Sequence, residues 1–143
     1  MRDGTQAVRA NGLLFHCRLD GPEGAPAMVF SNSLVTDLSV WDDQVAALSD
    51  RYRILRYDQR GHGATEVPAE AATLDILADD VAALMDHFGI RNAVVAGVSM
   101  GAATALLLAA LRPDLVSAVI ASDGQAATAP GGAQAWQERI DLA

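Results

Sequence analysis

Gly97-Val98-Ser99-Met100-Gly101 spells G-x-S-x-G between a short apolar run, NAVVA, and a longer one, MGAATALLLAAL. A serine hydroxyl is a weak nucleophile until the backbone exposes it and a base takes its proton. Glycines at 97 and 101 suit the first condition. They leave room for a strand to reverse sharply into a helix, which holds the serine in a strained conformation with Oγ raised above a sheet. The helix start aims the free N–H of Met100, and the positive end of the helix dipole, at any oxyanion forming beside Ser99. A second donor is expected from the loop after a neighbouring strand, at the carboxyl edge where parallel sheets bind ligands. In Asn32-Ser33-Leu34-Val35-Thr36-Asp37 the candidate is the Leu34 N–H, in a loop that can equally cap a helix beginning near Val40. Asp42-Asp43 and Asp79-Asp80 are neighbours on helices and so point in different directions, which reads as solvated faces and not as a metal site.

The elements that must position Ser99 follow from periodicity. Residues 6–10 and 13–19, split by Asn11-Gly12, read as an antiparallel hairpin. Ala27 to Ser31 is a short apolar run of the kind buried on both faces of a sheet. Ser39 or Asp37 can cap a helix with Trp41, Val45 and Leu48 on one side. Arg53 to Tyr57 is the next strand, closed by Arg60-Gly61-His62-Gly63. Leu74, Leu77, Val81, Leu84 and Phe88 step by three and four and mark a helix stopped by Gly89. Asn92 to Ala96 is a strand, Met100 to Arg112 a buried helix ended by Pro113, and Leu115 to Ser122 another strand. Thr128 to Gly132 reads as a turn and Ala133 to Leu142 as a further helix. Strands separated by helices require parallel pairing through right-handed crossovers, so the fold class is α/β, a mostly parallel sheet with an antiparallel N-terminal hairpin and helices on both faces.

Composition narrows the function. A chain of 143 residues, 51% hydrophobic and 20% charged, is expected to form one core. Ten Lys+Arg against 18 Asp+Glu give a net charge of −8, which argues against nucleic acid or an anionic membrane as partner. Cys17 is the only cysteine, so no internal disulfide can form. MRDGTQAVRANG lacks the apolar core of a signal peptide, and residues 100–111 fall short of the roughly 20 apolar residues of a membrane span. A cytoplasmic location is expected.

FSNSLVTDLSVWDDQVAAL (30–48), RILRYDQRGHGAT (53–65), LDILADDVAALMDHFGI (74–90), AGVSMGAATALLLA (96–109) and GGAQAWQERI (131–140) together carry a family resemblance. The chain resembles the amino-terminal half of an α/β-hydrolase and, within that superfamily, 3-oxoadipate enol-lactonase. GVSMG and Asp58-x-Arg60-Gly61-x-Gly63 belong to the whole superfamily, whereas SNSLVTDLSVW is more discriminating, because most relatives carry His-Gly where this chain has Asn32-Ser33. The resemblance implies hydrolysis of the enol-lactone in the protocatechuate branch of aromatic catabolism. Ser99 would be the nucleophile and Leu34 and Met100 the backbone oxyanion donors, with acyl transfer through acyl-Ser99 and neither metal nor cofactor. It also implies that residues 1–127 are a partial hydrolase core and 128–143 the start of a cap.

The family keeps its catalytic acid and histidine in the second half, so neither is expected in this chain. His16 and His87 read as surface or edge residues, and His62, in the RGHG turn, as structural. Trp136 and Arg139, three apart, share a helix face. In the lactonase pattern that helix opens the cap, where Arg139 could clamp a substrate carboxylate. It could equally be a solvated arginine beside a packing tryptophan. The isolated chain is expected to be inactive, and to self-associate or depend on a missing C-terminal half. Open alternatives are an esterase, a cofactor-free haloperoxidase-like hydrolase, and a non-catalytic remnant or interaction module.

Overall fold

The computed structural model describes residues 4–125, 127 and 129–142. Asn11 and Gly12 turn the chain at φ 40° and 81°, the left-handed pair that a two-residue hairpin turn demands. They join β1 (Thr5–Ala10) to β2 (Leu13–Asp20) in antiparallel register. The sheet continues with β3 (Ala27–Ser31), β4 (Arg53–Tyr57), β5 (Ala93–Val98) and β6 (Val116–Ser122), in the order β1-β2-β4-β3-β5-β6. β2 meets β4 antiparallel, and the pairs β4–β3, β3–β5 and β5–β6 are all parallel. The expected class therefore stands.

Alternation along β3, β4 and β5 feeds two cores. Val29, Leu55, Tyr57 and Val95 face α2 (Leu74–His87) and α3 (Met100–Leu111), meeting Val81, Leu84, Met85, Ala105 and Leu108. Met28, Phe30, Ile54 and Ala96 face the opposite way, onto Val45 and Leu48 of α1 (Asp42–Leu48). Phe30 stacks on Trp41 at 4.8 Å between ring centroids. α1 is preceded by a single 3-10 turn, Leu38–Trp41, whose cap is Asp37, its carboxylate accepting from the Ser39 N–H at 2.8 Å. α2 starts at Thr73, whose hydroxyl accepts from the Ile76 N–H, and ends against Gly89 at φ 64°.

Some expectations need correcting. β5 runs two residues beyond Ala96, to Val98, because the ladder to β6 continues to Ser122. Asp80 is buried, not solvated. Its carboxylate takes Nε and Nη2 of Arg60, each at 2.6 Å, and the Asn11 amide at 2.7 Å, so an acidic position inside the α2 pattern serves as the anchor of the RGHG turn. That hydrogen-bonded carboxylate holds the Arg60 guanidinium above its usual range. α3, although apolar all round, is covered on one side only, and Leu106 and Leu111 are exposed. The expected turn at 128–132 begins at Thr128, which lies outside the described residues. α4 (Gly132–Asp141) has no buried residue. Among the described residues, no helix is long and apolar enough to cross a membrane.

Candidate active site

β5 delivers Ser99 at φ 54° and ψ −113°, a conformation that a side-chain-bearing residue adopts only under constraint, and α3 begins at the next residue. The constraints are legible in the backbone. The Ser99 N–H donates to the Ser122 carbonyl of β6 at 2.9 Å, and the Ser99 carbonyl accepts from Ala102 and Ala103 as the first bonds of the helix. A Cβ on Gly97 would overlap the Gly101 carbonyl, and one on Gly101 would overlap the Ser31 carbonyl and crowd that of Asn32. The elbow therefore closes only with glycine at both positions. Ser99 itself is half-buried.

Met100 occupies the first position of α3, where a helix leaves its N–H without an internal acceptor. Leu34 lies on the loop after β3, the strand next to β5 in the sheet, and its N–H has no partner among the described residues. The elbow and the loop thus stand at the carboxyl ends of adjacent parallel strands. The loop carries a second strained residue that sequence reasoning missed. Val35 sits at φ 62°, an outlier for a β-branched side chain, and Thr36 Oγ1 closes the turn onto the Ser33 carbonyl at 2.8 Å.

The polar residues behind the site were also missed. Asp58, buried at the end of β4, accepts the Leu38 N–H at 2.8 Å, the Ala64 N–H at 2.9 Å and His16 Nδ1 at 2.7 Å. Gly63 is required because a Cβ there would strike the Asp58 carboxylate. The D-x-R-G-x-G signal marks the motif but says nothing of the histidine forty-two residues earlier, which only the strand pairing brings into range. Gln59 donates to the Asn32 carbonyl at 2.5 Å, and Ser31 Oγ shares a hydrogen bond with the Tyr57 hydroxyl at 2.8 Å. Burial pushes the Tyr57 phenol far up, and burial followed by the charge of Asp58 pushes the Cys17 thiol up to about 12, so neither supplies an anion to the site.

None of the three histidines is hydrogen-bonded to Ser99 among the described residues. His62 Nδ1 faces the Arg60 carbonyl at 3.0 Å, and His87 meets the Phe88 ring edge-on. Trp136 and Arg139 do share a face of α4, the guanidinium lying 4.9 Å from the indole centroid, with the tryptophan half exposed. No described contact brings that pair to the elbow.

A family model for the alpha/beta hydrolase fold matches residues 26–140, most of the chain. The chain belongs to the α/β-hydrolase family. Within it, 3-oxoadipate enol-lactonase 2 of Acinetobacter baylyi is 43% identical over 122 residues, which are 85% of this chain and 45% of that protein. The solved enol-lactonase of Burkholderia xenovorans LB400 is 46% identical, with a TM-score of 0.77 over 80% of this chain and 45% of that one. A hydrolase structure from Pseudomonas aeruginosa PA01 superposes with a TM-score of 0.91 at 35% identity over 99% of this chain and 53% of that one. The α/β-hydrolase chain described here thus spans less than half the length of the curated lactonases it matches.

Proposed function

We propose that this chain carries the nucleophile and oxyanion half of a serine hydrolase that opens the enol-lactone of 3-oxoadipate in protocatechuate catabolism. The observation that carries the reading is Ser99, a non-glycine residue at φ 54° between two glycines that cannot bear a Cβ. Identity of 43% to 48% with enol-lactonases supports the substrate class over other esters. Ser99 Oγ attacks the lactone carbonyl as a base removes its proton. The carbonyl oxygen becomes an oxyanion facing the N–H groups of Leu34 and Met100, and ring opening leaves an acyl-Ser99 that water hydrolyses. Net charge −8 calls for a dedicated cation to hold an anionic lactone, and Arg139, on the helix that in the lactonase pattern opens the cap, fills that role in this reading.

The base and its carboxylate come from polypeptide outside these 143 residues, which docks beside β6. By itself the chain is inactive. The lone, buried Cys17 accords with a cytoplasmic setting. The test is enol-lactone hydrolysis by the chain with and without a separately expressed carboxy-terminal half of the Acinetobacter lactonase. Turnover is expected only with the complement, and Ser99→Ala should lower it by about 10³-fold or more while leaving the fold intact. Turnover by Ser99→Ala within about tenfold of the parent would refute the nucleophile assignment.

A further inference from the structure

Two consecutive residues at the end of β4 hold the two ends of the loop that presents Leu34. Gln59, 1% exposed, donates from Nε2 to the Asn32 carbonyl at 2.5 Å and, weakly, to Ser31 Oγ at 3.4 Å. Asp58, 2% exposed, receives the Leu38 N–H at 2.8 Å. The same loop start packs so closely on the elbow that a Cβ on Gly101 would overlap the Ser31 carbonyl and crowd that of Asn32. Between these anchors the segment 33–36 has one hydrogen bond within itself among the described residues, Thr36 to Ser33, and carries the strained Val35, while Asp37 is tied forward to Ser39 and Val40. A loop with so few internal bonds and a costly backbone conformation keeps its shape only if its ends are fixed.

We propose that Gln59 is a positioning residue for the oxyanion hole, forming with Asp58 a two-point clamp that sets the Leu34 N–H relative to Ser99. The proposal rests on the reading of Ser99 as nucleophile and Leu34 as oxyanion donor. Asp58 belongs to a motif that fixes the turn after β4 by way of Ala64 and Gly63. Gln59 takes no part in that turn through its side chain. Its backbone carbonyl accepts from His62, and its amide points the other way, into the loop after β3. The Asn32 amide and Gln59 Oε1 are buried without partners among the described residues, so the donor bond from Nε2 is the specific polar link at this point. An oxyanion donor acts only where charge develops, so a displaced Leu34 N–H lowers kcat and leaves KM alone.

The decisive variant is Gln59→Met, which keeps the side chain's length and removes its donor. Backbone order parameters for Ser33 to Asp37, measured by NMR on the chain itself, should fall from the rigid range near 0.85 towards 0.6, while those of α2 stay unchanged. In the chain completed by the carboxy-terminal half of the Acinetobacter lactonase, the rate at which a fluorophosphonate labels Ser99 should fall about tenfold or more in the same variant. An ordered loop in Gln59→Met, or a loosened loop with unaltered labelling, overturns the clamp. If the loop loosens but Ser99 never labels in the parent so completed, the clamp on the loop stands and the nucleophile reading fails. Should Gln59→Met not fold, the parent decides the matter. A scalar coupling across the hydrogen bond from Gln59 Nε2 to the Asn32 carbonyl carbon is expected, and a freely rotating Gln59 amide overturns the proposal.

Discussion

The sheet has two outer strands, and they are built to opposite rules. β1, TQAVRA, buries only Val8, and its Arg9 pairs across solvent with Glu66 at 3.5 Å. Short length, polar side chains and a charge on the rim are what a water-facing edge carries to discourage pairing with other chains. β6, VSAVIAS, reads like an interior strand, yet no residue of it is buried, and Ile120 is 53% exposed. Leu106 and Leu111 of α3, the helix packed on β5 and β6, are exposed as well. β3, AMVFS, has a similar composition and buries four of five residues, because β4 and β5 flank it and helices cover both its faces. An apolar run specifies a capacity for burial, and the neighbours decide whether that capacity is used. Ser99, proposed above as the nucleophile, follows β5 at the boundary between the two regimes, with the covered strands on one side and β6 on the other.

If the covered strands fix the site, the contact between β3 and the elbow should be the least tolerant of change. Gly101→Ala places a methyl group inside the Ser31 carbonyl, and backbone cannot swing away as a side-chain tip would. The expected loss is about 4 kcal/mol or more of stability, read by urea unfolding, with the elbow disrupted. A variant of near-parental stability would mean that the elbow has slack and that the strain at Ser99 is not imposed by its glycines.

The next largest effect tests whether the buried ion pair behind the site acts as an anchor. Arg60→Ala leaves the Asp80 carboxylate buried with Asn11 as its one remaining hydrogen-bond partner among the described residues, which should cost about 3–5 kcal/mol. The double variant Arg60→Met/Asp80→Leu removes both charges and should recover most of that loss. Equal losses in the single and double variants would show that Arg60 contributes through packing alone.

These anchors also mark where sequence reading stopped. The parallel sheet, α2 and the elbow are legible because each depends on local signals: short apolar runs, three-and-four spacing, and glycines two places either side of a serine. The acidic neighbours of Asp80 on its helix point to a solvated face, and its partner Arg60 lies twenty residues earlier. His16 with Asp58 and Gln59 with Asn32 depend on which strands become neighbours, and the order β2-β4-β3-β5 cannot be read from periodicity. Val35 carried no signal at all, since a β-branched residue is a poor choice for the conformation it adopts.

Arg139 tests whether α4 belongs to the site. Lysine keeps the charge but loses the planar fork and its stacking on Trp136. With the chain completed by a lactonase second half, Arg139→Lys should raise KM for the carboxylate-bearing lactone about tenfold, near 1.4 kcal/mol, and leave its neutral methyl ester unaffected. Equal effects on both substrates would assign Arg139 to packing.

The smallest change in stability should come from Ile120→Lys, and it sharpens the contrast between the edges most directly. Val119, the neighbouring residue, packs against the core shared with α2 and α3, so Ile120 projects from the opposite face of β6, where nothing covers it. A lysine there should shift the unfolding free energy by no more than about 0.5 kcal/mol. Its effect should be on association. An exposed apolar strand with a free edge recruits a second copy of itself, and a charge on that strand opposes pairing. Light scattering across a concentration series should therefore show the parent chain self-associating and Ile120→Lys remaining monomeric. Gln6→Lys on β1 serves as the matched control, because that edge is already polar and the added charge should leave association unchanged. If both substitutions dissolve the oligomer alike, the effect is one of net charge, −8 becoming less negative, and the β6 edge has no special role.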